Sequence, residues 1–259
     1  MIKKIGIILA GGRGTRLNPI TKYINKHLMH IYNKPMIFYP LSLMILSGIK
    51  KIFIVINPGD LEVFEKLIKE EIKNHKVEIQ FLIQEKPDGI VGGLKLLKKY
   101  ISKNTKILTI LGDNFLLGQG VVNNYILPAI SSKKGCSIFT IYNKNPSKFG
   151  VLKLDKKKNP LRIVEKPKKF VSNDIVVGIY VFNHKFIDFI KNIKISKFNQ
   201  FEVTDLINEY IKRDSISFKK LGKGTTWLDC GEFEELYKAS QVVRFQYTNY
   251  GNDIGNFKK

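Results

Sequence analysis

Cysteine is scarce in this chain of 259 residues: Cys136 and Cys230 stand alone, with no CxxC spacing between or around them. A disulfide framework and a structural zinc site are therefore excluded as organising devices. Cys136 reads as a small residue packed at the start of a strand, and no base is nominated beside Cys230 to make it a nucleophile. The four histidines (His27, His30, His75, His184) include no HExxH-type pair. His27 and His30, three apart, could share a helix face but make a poor metal site by themselves. No apolar run is long enough to cross a bilayer, and a strand pattern opens the chain in place of a signal peptide. The most apolar stretch, 36–48, is interrupted by Pro40 and two serines and reads as a core helix. A cytoplasmic enzyme without a membrane partner is expected. Arginine is also rare. Of 44 basic residues against 22 acidic ones, giving a net charge of +22, five are arginine (Arg13, Arg16, Arg162, Arg213, Arg244) and the lysines are spread throughout. Nucleic-acid surfaces cluster their charge around stacking aromatics, so no specific nucleic-acid partner is expected. The positive field serves instead to gather small anions. Repeats, low-complexity segments and Pro/Ser-rich linkers are absent.

What the chain does carry stands at its start. Residues 5–9 (IGIIL) form a short apolar run of the kind a strand covered on both faces shows. Ala10, Gly11, Gly12, Arg13, Gly14, Thr15, Arg16 and Leu17 follow at once. Three glycines in four positions leave backbone N–H groups that phosphate oxygens can approach, while Arg13, Arg16 and the later Lys26 add positive charge. Spacing excludes the Walker loop, which needs Lys-Ser/Thr after its last glycine where Thr15-Arg16 stand. It also excludes the dinucleotide fingerprint, because Leu17 occupies the place of the third glycine. Strand, glycine turn and cationic loop in this order predict a nucleoside triphosphate site.

Strands and helices alternate through the first half. Residues 51–56 read as a strand. Asp60 is placed to cap a helix whose stripe is Val63, Phe64, Leu67, Ile68 and Ile72. A strand over 77–83, a helix over 90–101 and a strand over 106–111 follow. The last of these delivers Gly112 and Asp113 at its end. The second half is strand-rich, at 137–142, 150–154, 161–164 and 176–182, with the lysine-rich turn 156–160 making a hairpin. Helices over 185–191, 203–213 and 232–246 enclose a strand at 216–221. Residues 247–259 read as a polar, fraying tail. The pattern predicts an α/β fold: a Rossmann-like three-layer sandwich with a mainly parallel, mixed central sheet and a crevice at the strand C-termini. One domain over 1–246 is expected, with a nucleotide-binding half (1–115) and a sugar-binding half (116–246).

LAGGRGTRLNPIT followed by NKHLMHIYNKPMIFYPL resembles the signature of the sugar-phosphate nucleotidylyltransferases, nearest to the short-form glucose-1-phosphate thymidylyltransferases. Further matching islands follow in order: Gln84 with Pro87-Asp88-Gly89, LGDN at 111–114, FGV at 149–151, EKP at 165–167, VVGIY at 176–180, EVTD at 202–205 and WLD at 227–229. The resemblance implies the nucleotide-diphospho-sugar transferase type of this fold. It also implies transfer of a nucleotidyl group from a nucleoside triphosphate to a sugar 1-phosphate with Mg²⁺ as cofactor. Leu9, Ala10, Gly11, Gly12, Gly14, Thr15, Arg16, Lys26, Gln84, Gly89 and Asp113 would bind the nucleotide, Gln84 and Gly89 reading the base. Gly150, Glu165, Lys166, Val176, Gly178 and Tyr180 would bind the sugar phosphate, though Tyr180 reads equally as a core residue. Arg16, Lys26 and Lys166 would be catalytic, and Asp113 and Asp229 would hold the metal. A Glu165–Lys166 surface ion pair is disfavoured, since neighbours on a strand face opposite ways. The sequence departs from the family pattern at His27 and His30 (Gln and Pro there), at Val91-Gly92-Gly93 (Ala-Gln-Ala) and at Phe198-Asn199-Gln200 (Arg-Gly-Glu). The given chain stops soon after the helix containing Gln241, where the resemblance implies that longer members continue with helices that build a tetramer and a regulatory site, and a homo-oligomer is left open. dTTP with glucose 1-phosphate is the expected pair. UTP or CTP as donor, and a catalytically weakened nucleotide-sugar-binding protein, stand as alternatives.

Overall fold

The structure is a computed structural model that describes residues 2–196 and 200–257, so the departures at Phe198 and Asn199 lie outside the described residues. In chain order the first half holds β1 (Lys3–Leu9), the short β2 (His30–Ile31) and β3 (Lys34–Pro35), α1 (Phe38–Leu46), β4 (Lys51–Ile56), α2 (Leu61–Ile72), β5 (Glu78–Ile83), α3 (Ile90–Lys95) and β6 (Thr105–Leu111). There follow β7 (Asn114–Leu117), α4 (Leu127–Ser131), β8 (Cys136–Tyr142), β9 (Gly150–Leu154), β10 (Pro160–Glu165), β11 (Asp174–Asn183) and α5 (Phe186–Phe189). The chain closes with α6 (Val203–Lys212), β12 (Ile216–Lys220), β13 (Thr226–Asp229) and α7 (Phe233–Tyr250).

Alternating apolar side chains make β1 a central strand with two covered faces. Ile5 and Ile7 point to a core built with α3, α5 and α6, while Ile8 and Ala10 join one under α1, α2 and α4. Gly6 on the second face is a packing requirement, because a Cβ there would lie 2.7 Å from Met44 Sδ of α1. β5, β4, β1 and β6 run parallel in that order, with Leu9 opposite both Val55 and Leu111. The ten-residue β11 is antiparallel to β6. Tyr180 faces Thr109 of β6 and Ile138 of β8, so those strands flank opposite edges of β11. At Ile175 the partner opposite β8 is Val151 of β9, so the β9–β10 hairpin takes over the edge that β6 leaves. A register shift between Val176 and Tyr180 marks the change.

On α2, Phe64 and Ile68 are buried as the helical stripe requires, each contributing about 1.5–3 kcal/mol. Val63 instead stays exposed. Asp60 holds the N-cap position, but its carboxylate accepts hydrogen bonds from Asn25 and Asn57 rather than from the helix. The described part of the expected tail, residues 247–257, is packed rather than frayed. Helix α7 runs on to Tyr250 and ends in a left-handed Gly251, after which Asp253 pairs with Lys34. Phe257 is buried, its ring centroid 5.1 Å from that of Phe38.

Candidate active site

The loop after β1 is held from below. Ala10 N donates to Val55 O (2.7 Å), Ala10 O accepts from Asn25 Nδ2 (3.1 Å), and Gly112 N donates to Leu9 O (2.9 Å). Gly14 sits in the left-handed region (φ 62°), where its carbonyl accepts from Thr21 Oγ1 at 2.8 Å. Thr15 and Arg16 begin the short turn that follows. Lys26 packs along the glycines, with Nζ 3.7 Å from the Cβ position of Gly12, and its ammonium pairs with Asp113. Burial would raise the Asp113 carboxyl, but Lys26, His27 and Asn114 hold it well below the usual carboxylate range.

His27 lies beneath this pair, fully buried, and does not share a helix face with His30, which is exposed in β2. Burial, with the charge of Lys26, pushes its pKa down to about 3, so the ring is neutral. Asn25 Oδ1 accepts from both His27 N (2.9 Å) and Nδ1 (2.7 Å). The ring also fills the space over Gly112, where a Cβ would meet His27 Cδ2 at 2.6 Å.

The second carboxylate arrives from the far end of the chain. β13 pairs with β7 so that Asp229 stands opposite Asn114, next to Asp113. Cys230 N donates to Asp113 O (2.9 Å), so Cys230 is a buried small neighbour at the join. Burial, then the charge of Asp113, raises the Asp229 carboxyl to about 6. Arg16 crosses the cleft to meet it: its guanidinium lies 3.7 Å from Asp229 and 2.8 Å from Glu232, and Lys148 lies 3.4 Å from Glu232. Asn114 is the hub of this corner. Its Oδ1 accepts from Gly178 N (2.9 Å) and Trp227 Nε1 (2.7 Å), and its Nδ2 donates to Asp113 Oδ1 (3.0 Å). Gly178 has no room for a side chain, since a Cβ would lie 2.6 Å from Asn114 Oδ1.

The other expected residues fall at two sides of this centre. Gln84, at the end of β5, and Gly89 flank the glycine loop: a Cβ on Gly11 would lie 3.0 Å from Gln84 Oε1. Gly89 adopts φ 94°, ψ −175°, a conformation open essentially to glycine alone. Opposite, Gly150 and Glu165 are cross-strand partners in the β9–β10 hairpin, and a Cβ on Gly150 would lie 3.3 Å from Glu165 Oε2. Burial and then Glu202 raise the Glu165 carboxyl. Lys166 lies just beyond β10 with φ 40°, so strand alternation does not apply, and its ammonium sits 3.8 Å from Glu165 after all. Val176 and Tyr180 are buried on β11. Tyr180 stacks on Phe182 in the core, and its hydroxyl, raised chiefly by burial, also feels the charge of Glu165.

The nucleotidyl transferase family profile matches residues 5–245 of this chain. The chain belongs to that family. A nucleotidyl transferase of Neisseria gonorrhoeae, a glucose-1-phosphate thymidylyltransferase, is 36% identical over 239 residues, covering 92% of this chain and 82% of the relative. The glucose-1-phosphate thymidylyltransferase of Mycolicibacterium smegmatis is 34% identical over 250 residues, 96% of this chain and 85% of the relative. A Bacillus anthracis candidate glucose-1-phosphate thymidylyltransferase, crystallised with sucrose, superposes with a TM-score of 0.85 at 29% identity, covering 97% of this chain and 98% of that one. Among the described residues no helix is long and apolar enough to cross a membrane.

Four residues that complete this nucleotidyl transferase cleft went unassigned from sequence: Asn25, His27, Asn114 and Glu232. Asn114 follows Asp113 in sequence, but its bonds to Gly178 and Trp227, like those of Glu232 to Arg16 and Lys148, come only from tertiary pairing. Asn25 had a local signal, since Asx side chains commonly bond the backbone two residues on.

Proposed function

We propose that this protein joins dTTP and glucose 1-phosphate to give dTDP-glucose and pyrophosphate. The observation that carries the reading is the pairing of β13 with β7, which brings Asp229 beside Asp113 at the mouth of the glycine loop. An oxygen of the sugar phosphate attacks the α-phosphorus, a new P–O bond forms, and the bond to the departing pyrophosphate breaks. The nucleophile is already anionic, so no base is needed, in keeping with His27 lying neutral and buried. Catalysis then rests on position and charge. The N–H groups of residues 11–14 with Thr15, Lys26 and Arg16 cradle the triphosphate and the leaving group. For Arg16 this means giving up contacts with Asp229 and Glu232 that are more than half exposed on its side, a small cost. Lys166 holds the sugar phosphate and offsets repulsion between two anions, while Glu165 accepts from sugar hydroxyls beside Gly150, Val176, Gly178 and Tyr180.

Asp113 and Asp229 fit a Mg²⁺ site. The β7–β13 pairing brings the two carboxylates together as an oxygen donor set, with Asp229 raised by burial and then by the charge of Asp113, and Lys26 and Arg16 are the cations that now balance them. Among the described residues no group of three or more His, Cys, Asp or Glu side chains is placed to hold a metal. Mg²⁺ commonly takes one or two protein carboxylates and completes its shell with phosphate and water. When bound it would neutralise charge on the reacting phosphates. The same proposal places the reaction in the cytoplasm. The test is pyrophosphate release with Mg²⁺, crossing dTTP, UTP, CTP and ATP with several sugar 1-phosphates. Release with dTTP and glucose 1-phosphate is expected. Silence across the grid from folded protein would refute catalysis and favour a nucleotide-sugar-binding role.

A further inference from the structure

Gln84 does not choose its own orientation. Its Nε2 donates to Asp88 Oδ1 at 2.5 Å and to Gly89 O at 3.2 Å. A carboxylate and a carbonyl are acceptors only, so both amide hydrogens are committed to them. The remaining pole, Oε1, lies over the glycine loop, 3.0 Å from the Cβ position of Gly11 and 3.4 Å from that of Gly93. Gln84 therefore offers the cleft a hydrogen-bond acceptor and no donor. Asp88 reaches it because of a peculiarity of this chain: residue 92 is glycine, and a Cβ there would fall on the Asp88 carboxylate. Asp88 is anchored in turn, its backbone N donating to Lys86 O (2.8 Å) and its carbonyl accepting from Phe201 N (2.9 Å).

We propose that Asp88 is a positioning residue that fixes the Gln84 amide with its oxygen toward the base, selecting a pyrimidine that presents an imide N3–H, thymine or uracil, over cytosine. This rests on the nucleotidylyltransferase reading. Cytosine turns a lone pair at N3 toward Oε1, and its nearest donor, the 4-amino group, is one ring position away. A site built to pair a donor rejects an analogue lacking it, because the buried acceptor is left unmatched.

The experiment measures dissociation constants for dTTP and CTP by calorimetry, with kcat/KM for each alongside, in the wild type, three single variants and the Asp88→Ala/Gln84→Ala double variant. Asp88→Ala removes the carboxylate. Gly92→Ala displaces it while improving a helix position, so loss of fold does not confound the result. Gln84→Ala supplies the background for a double-mutant comparison. Asp88→Ala and Gly92→Ala should each lower the dTTP-over-CTP preference by about tenfold, the equivalent of one hydrogen bond. Asp88→Ala should add nothing once Gln84 is alanine. An unchanged preference in both single variants overturns the proposal, as does an equal effect of Asp88→Ala with and without Gln84. A wild type that prefers dTTP in binding but releases no pyrophosphate would count against the catalytic reading alone. The binding ratios would then still decide the role of Asp88.

Discussion

Replacing Asn114 by alanine separates the support of the site from its chemistry. The substitution deletes the acceptor shared by Gly178 N and Trp227 Nε1 and the donor to Asp113. Gly178 N is sealed inside β11, so its orphaned hydrogen bond costs about 1–3 kcal/mol. Trp227 is half-buried and recovers part of its loss from water. A total of about 2–4 kcal/mol follows, which at roughly 2–4 °C per kcal/mol predicts a Tm lower by about 4–16 °C. Urea denaturation with linear extrapolation measures it. Trp227→Phe is the control: it keeps a ring against Phe149, whose centroid lies 5.5 Å away, and removes the indole donor. The double variant should regain the share of the Asn114→Ala loss that comes from the orphaned indole, giving a non-additive cycle. A single-variant loss below about 0.5 kcal/mol, the range of ordinary surface changes, would refute the hub. So would strict additivity with Trp227→Phe.

Asp113→Asn should abolish turnover by removing half of the metal pair and the partner of Lys26; near-normal pyrophosphate release would contradict the assignment. Lys166→Ala should raise KM for the sugar phosphate well above any change in KM for the nucleotide, and equal shifts would place Lys166 elsewhere. Phe257→Ala should cost about 3 kcal/mol through loss of packing on Phe38, read by urea midpoint, whereas a fraying tail would show no change. Glu165 gives a pH signature. Its carboxyl is raised by burial and Glu202, so the favourable protonated form is present at low pH and lost as pH rises through the raised value. Glu165→Gln should therefore stabilise the protein at neutral pH and lose that advantage in acid; a gain independent of pH would speak against it.

The parts of this site that could be read from sequence are those whose cause is local. The β1 run and glycine loop carry their signal within a dozen residues, and β4 and β9 begin and end where the pattern places them. What escaped was set by distant partners. Asp60 looks like a cap because its position is right, yet Asn25 and Asn57 take its carboxylate. NFLL at 114–117 has no period long enough to announce a strand, and becomes one only because β13 lies beside it. Polarity made residues 247–259 look like a tail, yet through residue 257 the segment is held by the end of α7, the Asp253–Lys34 pair and the ring of Phe257. Lys166 broke the strand rule through a single left-handed residue, which no side-chain pattern foretells.

The β7–β13 ribbon also dates the site within the life of each molecule. Synthesis runs from the N-terminus, so the glycine loop, Lys26 and Asp113 leave the ribosome long before Asp229 exists. Asn114 and Trp227 are 113 positions apart, and closing a loop of that length costs about 4 kcal/mol of chain entropy beyond the constant term. Half-made chains thus hold the glycine loop without Asp229, and without the α5 and α6 side chains that cover one face of β1. If the proposed function holds, turnover in a nascent or refolding population would report completion of the β7–β13 ribbon.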